Sequence, residues 1–355
     1  MKYRIVVLPG DGIGPEVIEQ GIKALEAASK RYSFEIELKY GLIGATAIDQ
    51  TGNPLPDETL ELCKYSDAIL LGAVGHPKFD NDPTAKVRPE QGLLKLRKSL
   101  NLFANIRPVA TYEVLYDSSP LKRERIDGVD FIVIRELTGG IYFGEKGRKD
   151  NGKLAFDNCT YSVEEIDRIT RLAFKMAQKR RKKVCLVDKA NVLETSRLWR
   201  ETATLIAKES EFSDIELTTM FVDNAAMQII QWPSQFDIIL TENMFGDILS
   251  DEASVISGSM GMLPSSSIGT NLALFEPIHG SYPQAAGKNI ANPFATILSV
   301  AMMLDYLKKP DAAQKIREAV NHALKNNIVT EDISKNNPKS TSDLGSWISN
   351  YLLTI

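Results

Sequence analysis

The chain predicts an α/β fold with much parallel sheet, and two observations predict it. Short apolar runs of strand type recur at residues 5–8, 68–71, 131–134, 184–187 and 238–241. Helical apolar periodicity lies between several of them. Strands alternating with helices build parallel sheets covered by helices. At 355 residues, 43% hydrophobic and 25% charged, the chain has ample core for two domains. Composition alone shows no boundary between them.

The first element is the strand at 5–8. Pro9-Gly10-Asp11-Gly12-Ile13-Gly14 breaks it, and Pro15 suits the first position of a helix. Val17, Ile18, Ile22 and Leu25 share one face of that helix. The turn reads G-x-G-x-G, whereas the dinucleotide fingerprint needs G-x-G-x-x-G, so a Rossmann site is not predicted. Residues 137–158 are rich in Gly, aromatics and charge, and read as exposed strands or an arm. The basic run 179–183 reads as a solvated helix end.

Net charge is −4, which leaves no basic field for nucleic acid or an acidic membrane surface. No run approaches 18 apolar residues, so no membrane span is predicted. The first residues read as a strand, too short for a signal peptide. Cys63, Cys159 and Cys185 lack metal-ligand spacing and suit a reducing cytoplasm.

Several clusters could carry chemistry. Asp247 and Asp251 stand four apart after an apolar strand. On a helix they share a face, and two such carboxylates repel unless a cation lies between them. They could equally favour the helix dipole. Arg107 and Arg135 each end an apolar run, and Arg97 lies beside an apolar face. A guanidinium fork pairs bidentately with carboxylates, so three of them suit a diacid. Tyr142, flanked by glycines, could deliver a proton. Lys189 follows a buried-type strand, where desolvation would favour a base. Residues 275–293 are too polar and too broken by Gly and Pro for core.

Taken in order, these motifs resemble the β-decarboxylating dehydrogenases, the isocitrate/isopropylmalate dehydrogenase family. The carriers are L-P-G-D-G-I-G-P-E at 8–16, R-E-L-T-G-G-I-Y-F-G-E at 135–145, D-K-A-N-V-L at 188–193, F-G-D-I-L-S-D at 245–251 and H-G-S-x-P-x-x-A-G-K-x-I-A-N-P at 279–293. The resemblance implies two α/β domains, 1–102 plus 258–355 and 103–257, sharing a large central sheet that is not a Rossmann fold. It implies a homodimer in which an arm near 138–160 pairs with its counterpart.

It further implies that Arg97, Arg107 and Arg135 clamp the substrate carboxylates. Asp223, Asp247 and Asp251 would bind Mg²⁺ or Mn²⁺, with Asp223 and Lys189 reaching in from a second subunit. Lys189 would be the base and Tyr142 the acid. NAD would be held by Ile13, Glu276, His279, Gly280, Ser281, Tyr282, Gln284, Ala285, Gly287, Asn289, Ala291 and Asn292.

Substrate choice follows from the loop before Arg97. Isocitrate enzymes place Ser and Asn there, whereas this chain has Glu90, Leu93 and Leu94. With Val192, the leucines would form an apolar pocket for the branched group of 3-isopropylmalate, and burying an isopropyl group contributes about 2 kcal/mol. A third carboxylate would lie unpaired there. Gln284 stands where NAD-using members carry Asp, so NAD is expected with weaker discrimination against NADP. Tartrate/D-malate or homoisocitrate oxidation, a metal-free Rossmann dehydrogenase and a catalytically dead relative are the competing readings.

Overall fold

A computed structural model describes residues 2–81 and 84–354. It divides into two compact units, Met1–Leu102 with Ser259–Ile355, and Phe103–Gly258. Gly258 thus ends the second unit, one residue beyond the expected boundary. Its left-handed φ of 80° closes the turn Val255–Ser257, and the Leu115 carbonyl packs against it.

Among the described residues, twelve strands form: β1 (Lys2–Gly10), β2 (Glu35–Tyr40), β3 (Ala68–Ala73), β4 (Ala104–Ala110), β5 (Asp130–Glu136), β6 (Lys146–Lys149), β7 (Leu154–Asp157), β8 (Lys183–Asp188), β9 (Glu216–Phe221), β10 (Ile238–Thr241), β11 (Pro264–Ile268) and β12 (Ala273–Pro277). In the first unit the order is β2-β1-β3-β12-β11. All neighbours there run parallel except β11, which is antiparallel to β12. In the second unit the order is β4-β5-β10-β8-β9, parallel except for β4 against β5. The apolar runs at 68–71, 131–134, 184–187 and 238–241 are all buried in these strands, as continuous apolar strands under helices must be.

The first unit's core joins Val6, Leu8, Ile69, Leu71, Leu96 and Leu274. Its helix Phe294–Tyr306 is buried on nearly every face, from Phe294 through Ala301. The second unit's core joins Val109, Phe131, Val133, Val187, Ile239 and Leu249. Helix Val163–Ala177 starts on a Ser162/Glu165 capping box, which satisfies two orphan backbone donors. Within 137–158, β6 and β7 form an antiparallel hairpin apart from the main strands. Leu154 on it is half exposed. Among the described residues, no helix is long and apolar enough to cross a membrane.

Candidate active site

In the second unit, chemistry gathers at the carboxyl ends of β5 and β10. Register sets this up. Asn105 on β4 pairs with Arg135 on β5, so Arg107 lies diagonal to Arg135 on the same face. β10 ends at Thr241, and the Glu242 carboxylate accepts from the Phe245 amide at 3.1 Å, capping helix Asn243–Ser254. Gly246 in its first turn lets the Arg135 stem lie across the helix. A Cβ there would come within 2.6 Å of Arg135 Cβ and Cγ.

The Arg135 guanidinium donates through Nε and Nη2 to Asn243 Oδ1, at 3.1 and 2.9 Å, and through Nη1 to Asp247 Oδ1. The Tyr142 hydroxyl donates to Asp247 Oδ2 at 2.9 Å, and the Arg135 guanidinium lies 5.7 Å from the Tyr142 ring centre. Arg107 Nη1 donates to Asp251 Oδ1 at 2.9 Å and to Ser250 Oγ at 2.6 Å. Two cations and two anions therefore balance. The guanidiniums are nearly buried, at 13% and 5% side-chain exposure, whereas Asp247 and Asp251 keep 34% and 67%. Burial, then the bond to Asp247, pushes the Tyr142 phenol above its ordinary range, so a proton is held at that oxygen.

Lys189, at 27% side-chain exposure, is ion-paired. Its ammonium lies 2.5 Å from Asp223 Oδ1, and this bond holds the Asp223 carboxyl low. Buried Asp188 orders the turn, accepting from Arg200 at 2.9 and 2.7 Å and from the Ala190 amide. Val192, on the same turn, is exposed. Asp223 therefore does not join Asp247 and Asp251 within one chain. Among the described residues, no group of three or more His, Cys, Asp or Glu side chains is placed to hold a metal.

In the first unit, the Gly-rich turn is closed on itself and on the loop at 281. The Asp11 amide donates to Ala73 O, that of Ile13 to Ser281 O and that of Gly14 to Asp11 O. A Cβ at Gly12 would strike Ser281 O at 2.0 Å. The buried Asp11 carboxylate takes the Ala45, Thr46 and Gly75 amides. The Asp11, Ile13 and Gly14 amides are thus spent on protein acceptors, which makes the turn a strut for the 276–292 loop.

That loop is built partly from residues expected to touch cofactor. The side chains of Ile13, Ala285 and Ala291 bury one another with Val17, forming the loop's floor. Glu16 takes the Gly287 and Asn289 amides. Asn289 bonds Ser342, and Asn292 bonds Asp332 and the Phe294 amide. Ser281 is buried, while Gly280, Tyr282 and Gln284 stay exposed. His279 Nδ1 lies 3.0 Å from Gly280 O, and its buried Nε2 has no protein partner. Burial also lowers its pKa. A neutral ring with an orphaned nitrogen fits the hydrogen-bonding edge of a nucleotide.

Glu276 is nearly buried and accepts from Arg97 Nη2 at 2.7 Å. The expected clamp arginine and the expected cofactor ligand thus hold each other. Helix Pro89–Ser99 carries Arg97 and splits the two leucines. Leu93 is partly buried against the core cluster, and Leu94 is exposed, so the two leucines differ in how much apolar surface they leave open. Glu90 lies on the exposed side of the same helix.

Residues 4–348 match isocitrate/isopropylmalate dehydrogenase. The chain belongs to this family. A 3-isopropylmalate dehydrogenase of Bacteroides fragilis is 52% identical over 354 residues, covering 99% of each chain. One from Bacillus subtilis is 53% identical over 348 residues, covering 96% of this chain and 94% of its own. Among solved structures, isocitrate dehydrogenase from Methylococcus capsulatus superimposes with a TM-score of 0.88 at 34% identity, covering 99% of both chains. As a member of the dehydrogenase family, the chain has an α/β fold with mixed sheet of this type, as its motifs predicted.

Sequence reasoning missed Asn243, Glu16, Asp332 and Ser342. Glu16 stood inside the quoted motif 8–16, whereas the only signal for Asn243 was its place between a strand end and the motif at 245–251.

Proposed function

We propose that the chain catalyses NAD-dependent oxidative decarboxylation of (2R,3S)-3-isopropylmalate to 4-methyl-2-oxopentanoate and CO₂, the third step of leucine biosynthesis. The observation that carries this reading is the Arg107–Arg135–Asp247–Asp251–Tyr142 constellation. It combines anion clamps, hard oxygen donors and a protonated phenol at the ends of parallel strands.

Arg107 and Arg135, nearly buried and fork-shaped, turn from the aspartates to the substrate carboxylates, with Arg97 as a further ligand. Asp247 and Asp251 offer hard oxygens one helical turn apart, which fits Mg²⁺ or Mn²⁺; Asp223 of a second copy would complete the set. When bound, that ion supplies Lewis-acid polarisation of the C2 oxygen. Lys189 of the second copy takes the hydroxyl proton. NAD supplies the hydride acceptor for C2. The resulting ketone lies β to the departing carboxylate, and Tyr142 returns a proton to C3 as CO₂ leaves. The proton lost from the hydroxyl is balanced by the one gained at carbon.

Exposed apolar side chains support a homodimer. Met227 and Ile230 on helix Val222–Gln231, with Ile248 on helix Asn243–Ser254 and neighbouring Val255, all face solvent in one chain. Buried apolar faces of this kind typify permanent dimers. The β6–β7 hairpin is the arm that would pair across it. The small-molecule substrate is the only ligand besides NAD and metal. Nucleic acid and membrane have no part, and the cytoplasm keeps the three free cysteines reduced.

Leu94 favours the isopropyl substituent over a third carboxylate. The purified chain, assayed with Mg²⁺ and NAD, should prefer 3-isopropylmalate over isocitrate, D-malate and homoisocitrate by at least ~30-fold in kcat/KM, the equivalent of burying one isopropyl group. Negligible turnover of 3-isopropylmalate would overturn the substrate, and NADP preferred over NAD would overturn the cofactor.

A further inference from the structure

We infer that Asn243 is a positioning residue that locks the carboxylate clamp and the proton donor into one unit. The inference rests on the reaction proposed above but concerns a side chain to which that reaction assigns no role. Asn243 is 1% exposed and all its described bonds point into the site. Its Oδ1 accepts from Arg135 Nε and Nη2, fixing the guanidinium plane so that Nη1 is left aimed at Asp247. Its Nδ2 donates to Gly139 O at 3.0 Å, on the turn that leads three residues on to Tyr142. Its backbone amide donates to the Tyr161 hydroxyl at 2.9 Å.

Tyr161 makes the connection rigid. Its hydroxyl lies 3.2 Å from Glu242 Oε2, and its ring lies under Gly139 and Gly140, where any Cβ would come within 2.7 or 2.3 Å of it. The same turn is pinned from the other side by Glu136, whose wholly buried carboxylate takes the Thr138 and Gly139 amides. One amide side chain thus sets Arg135 through its oxygen and the Tyr142 turn through its nitrogen. Only Asn offers an acceptor and a donor at that reach.

The two halves can be separated. Asn243→Ala removes both bonds, whereas the isosteric Asn243→Asp keeps an acceptor for Arg135 and loses the donor to Gly139 O. Binding of 3-isopropylmalate with Mg²⁺ is measured by calorimetry, and kcat and the KM values for diacid and NAD by steady-state kinetics.

In Asn243→Ala, diacid affinity should fall about 30-fold and kcat should fall as well, with the KM for NAD within about twofold of the parent. In Asn243→Asp, kcat should fall while diacid affinity changes by less than about fivefold. A purely structural role would shift the KM for NAD and the diacid affinity together in both variants. Parent-like diacid affinity in Asn243→Ala, or identical behaviour of the two variants, overturns the inference. Failure of the parent itself to bind 3-isopropylmalate overturns the substrate reading instead. Should Asn243→Ala not fold, the split in Asn243→Asp decides alone.

Discussion

The second unit holds two arginine–aspartate clusters, at opposite ends of β5 and β10. At the amino ends of β5, β10 and β8, Arg180 bonds Asp237 at 2.9 Å and Asp130 at 2.8 Å. Arg181 adds contacts to Asp237 and to the Asp130 carbonyl, and the Lys183 amide approaches Asp237 at 3.3 Å. The Asp237 side chain is wholly buried and its oxygens face protein donors. At the carboxyl ends, Arg107 and Arg135 also meet Asp247 and Asp251, but those carboxylates remain open to solvent. The residue types are alike. What differs is which end of the parallel strands they occupy, since ligands of open α/β sheets bind outside the carboxyl ends. The closed cluster locks the fold, whereas the open one can exchange its partners for a ligand.

The comparison predicts opposite kinds of damage. Asp251→Ala should lower kcat/KM on the order of 10³-fold, because one hard oxygen ligand is lost. Its melting temperature should stay within about 2 °C, since Asp251 is exposed and Arg107 keeps Ser250 and Asp247 beside it. Next, Tyr142→Phe should cost about 10²-fold in kcat by removing the acid. It should also erase the alkaline limb of the pH profile. Burial and Asp247 favour the neutral phenol, so its folded pKa lies above the unfolded value of about 10. Both the acid function and the stability it contributes are present below that pH and are lost as pH rises through the folded pKa.

At the other end, Asp237→Ala should leave kcat and KM within about twofold. It should lower the melting temperature by roughly 6–12 °C, because a wholly buried carboxylate addressed by Arg180, Arg181 and the Lys183 amide is lost and Arg180 keeps Asp130 alone. A large activity loss without destabilisation would break the distinction between the two clusters. The smallest effect is expected for Leu94→Ala, which should reduce the preference for the branched substrate about fivefold in kcat/KM.

Much of the open cluster was legible in the sequence because strand ends are legible. Apolar runs stop at Arg135 and Thr241, and the next charged residues fall at the sheet's edge. The closed cluster was only half legible. Residues 179–183 do follow a helix end, and four of the five are exposed, but nothing nearby shows that Arg180 has a buried partner 57 positions away. Asn243 and Glu16 were invisible for the same reason, with partners 108 and 271 residues distant. Leu93 and Leu94 read alike, and only the helix phase turned one inward. Ile13, Ala285 and Ala291 carried a motif's positions, but their side chains form packing beneath it.

Gly246 has a consequence of another kind. It bears no charge, donates nothing from a side chain and touches no proposed ligand. Yet the clamp's aim depends on its lack of one carbon atom. A methyl group there would act as a wedge under Arg135 and disarm the site with every charged residue intact. A survey that replaced only acids, bases and arginines would therefore miss one of the positions at which this catalyst is most easily disabled.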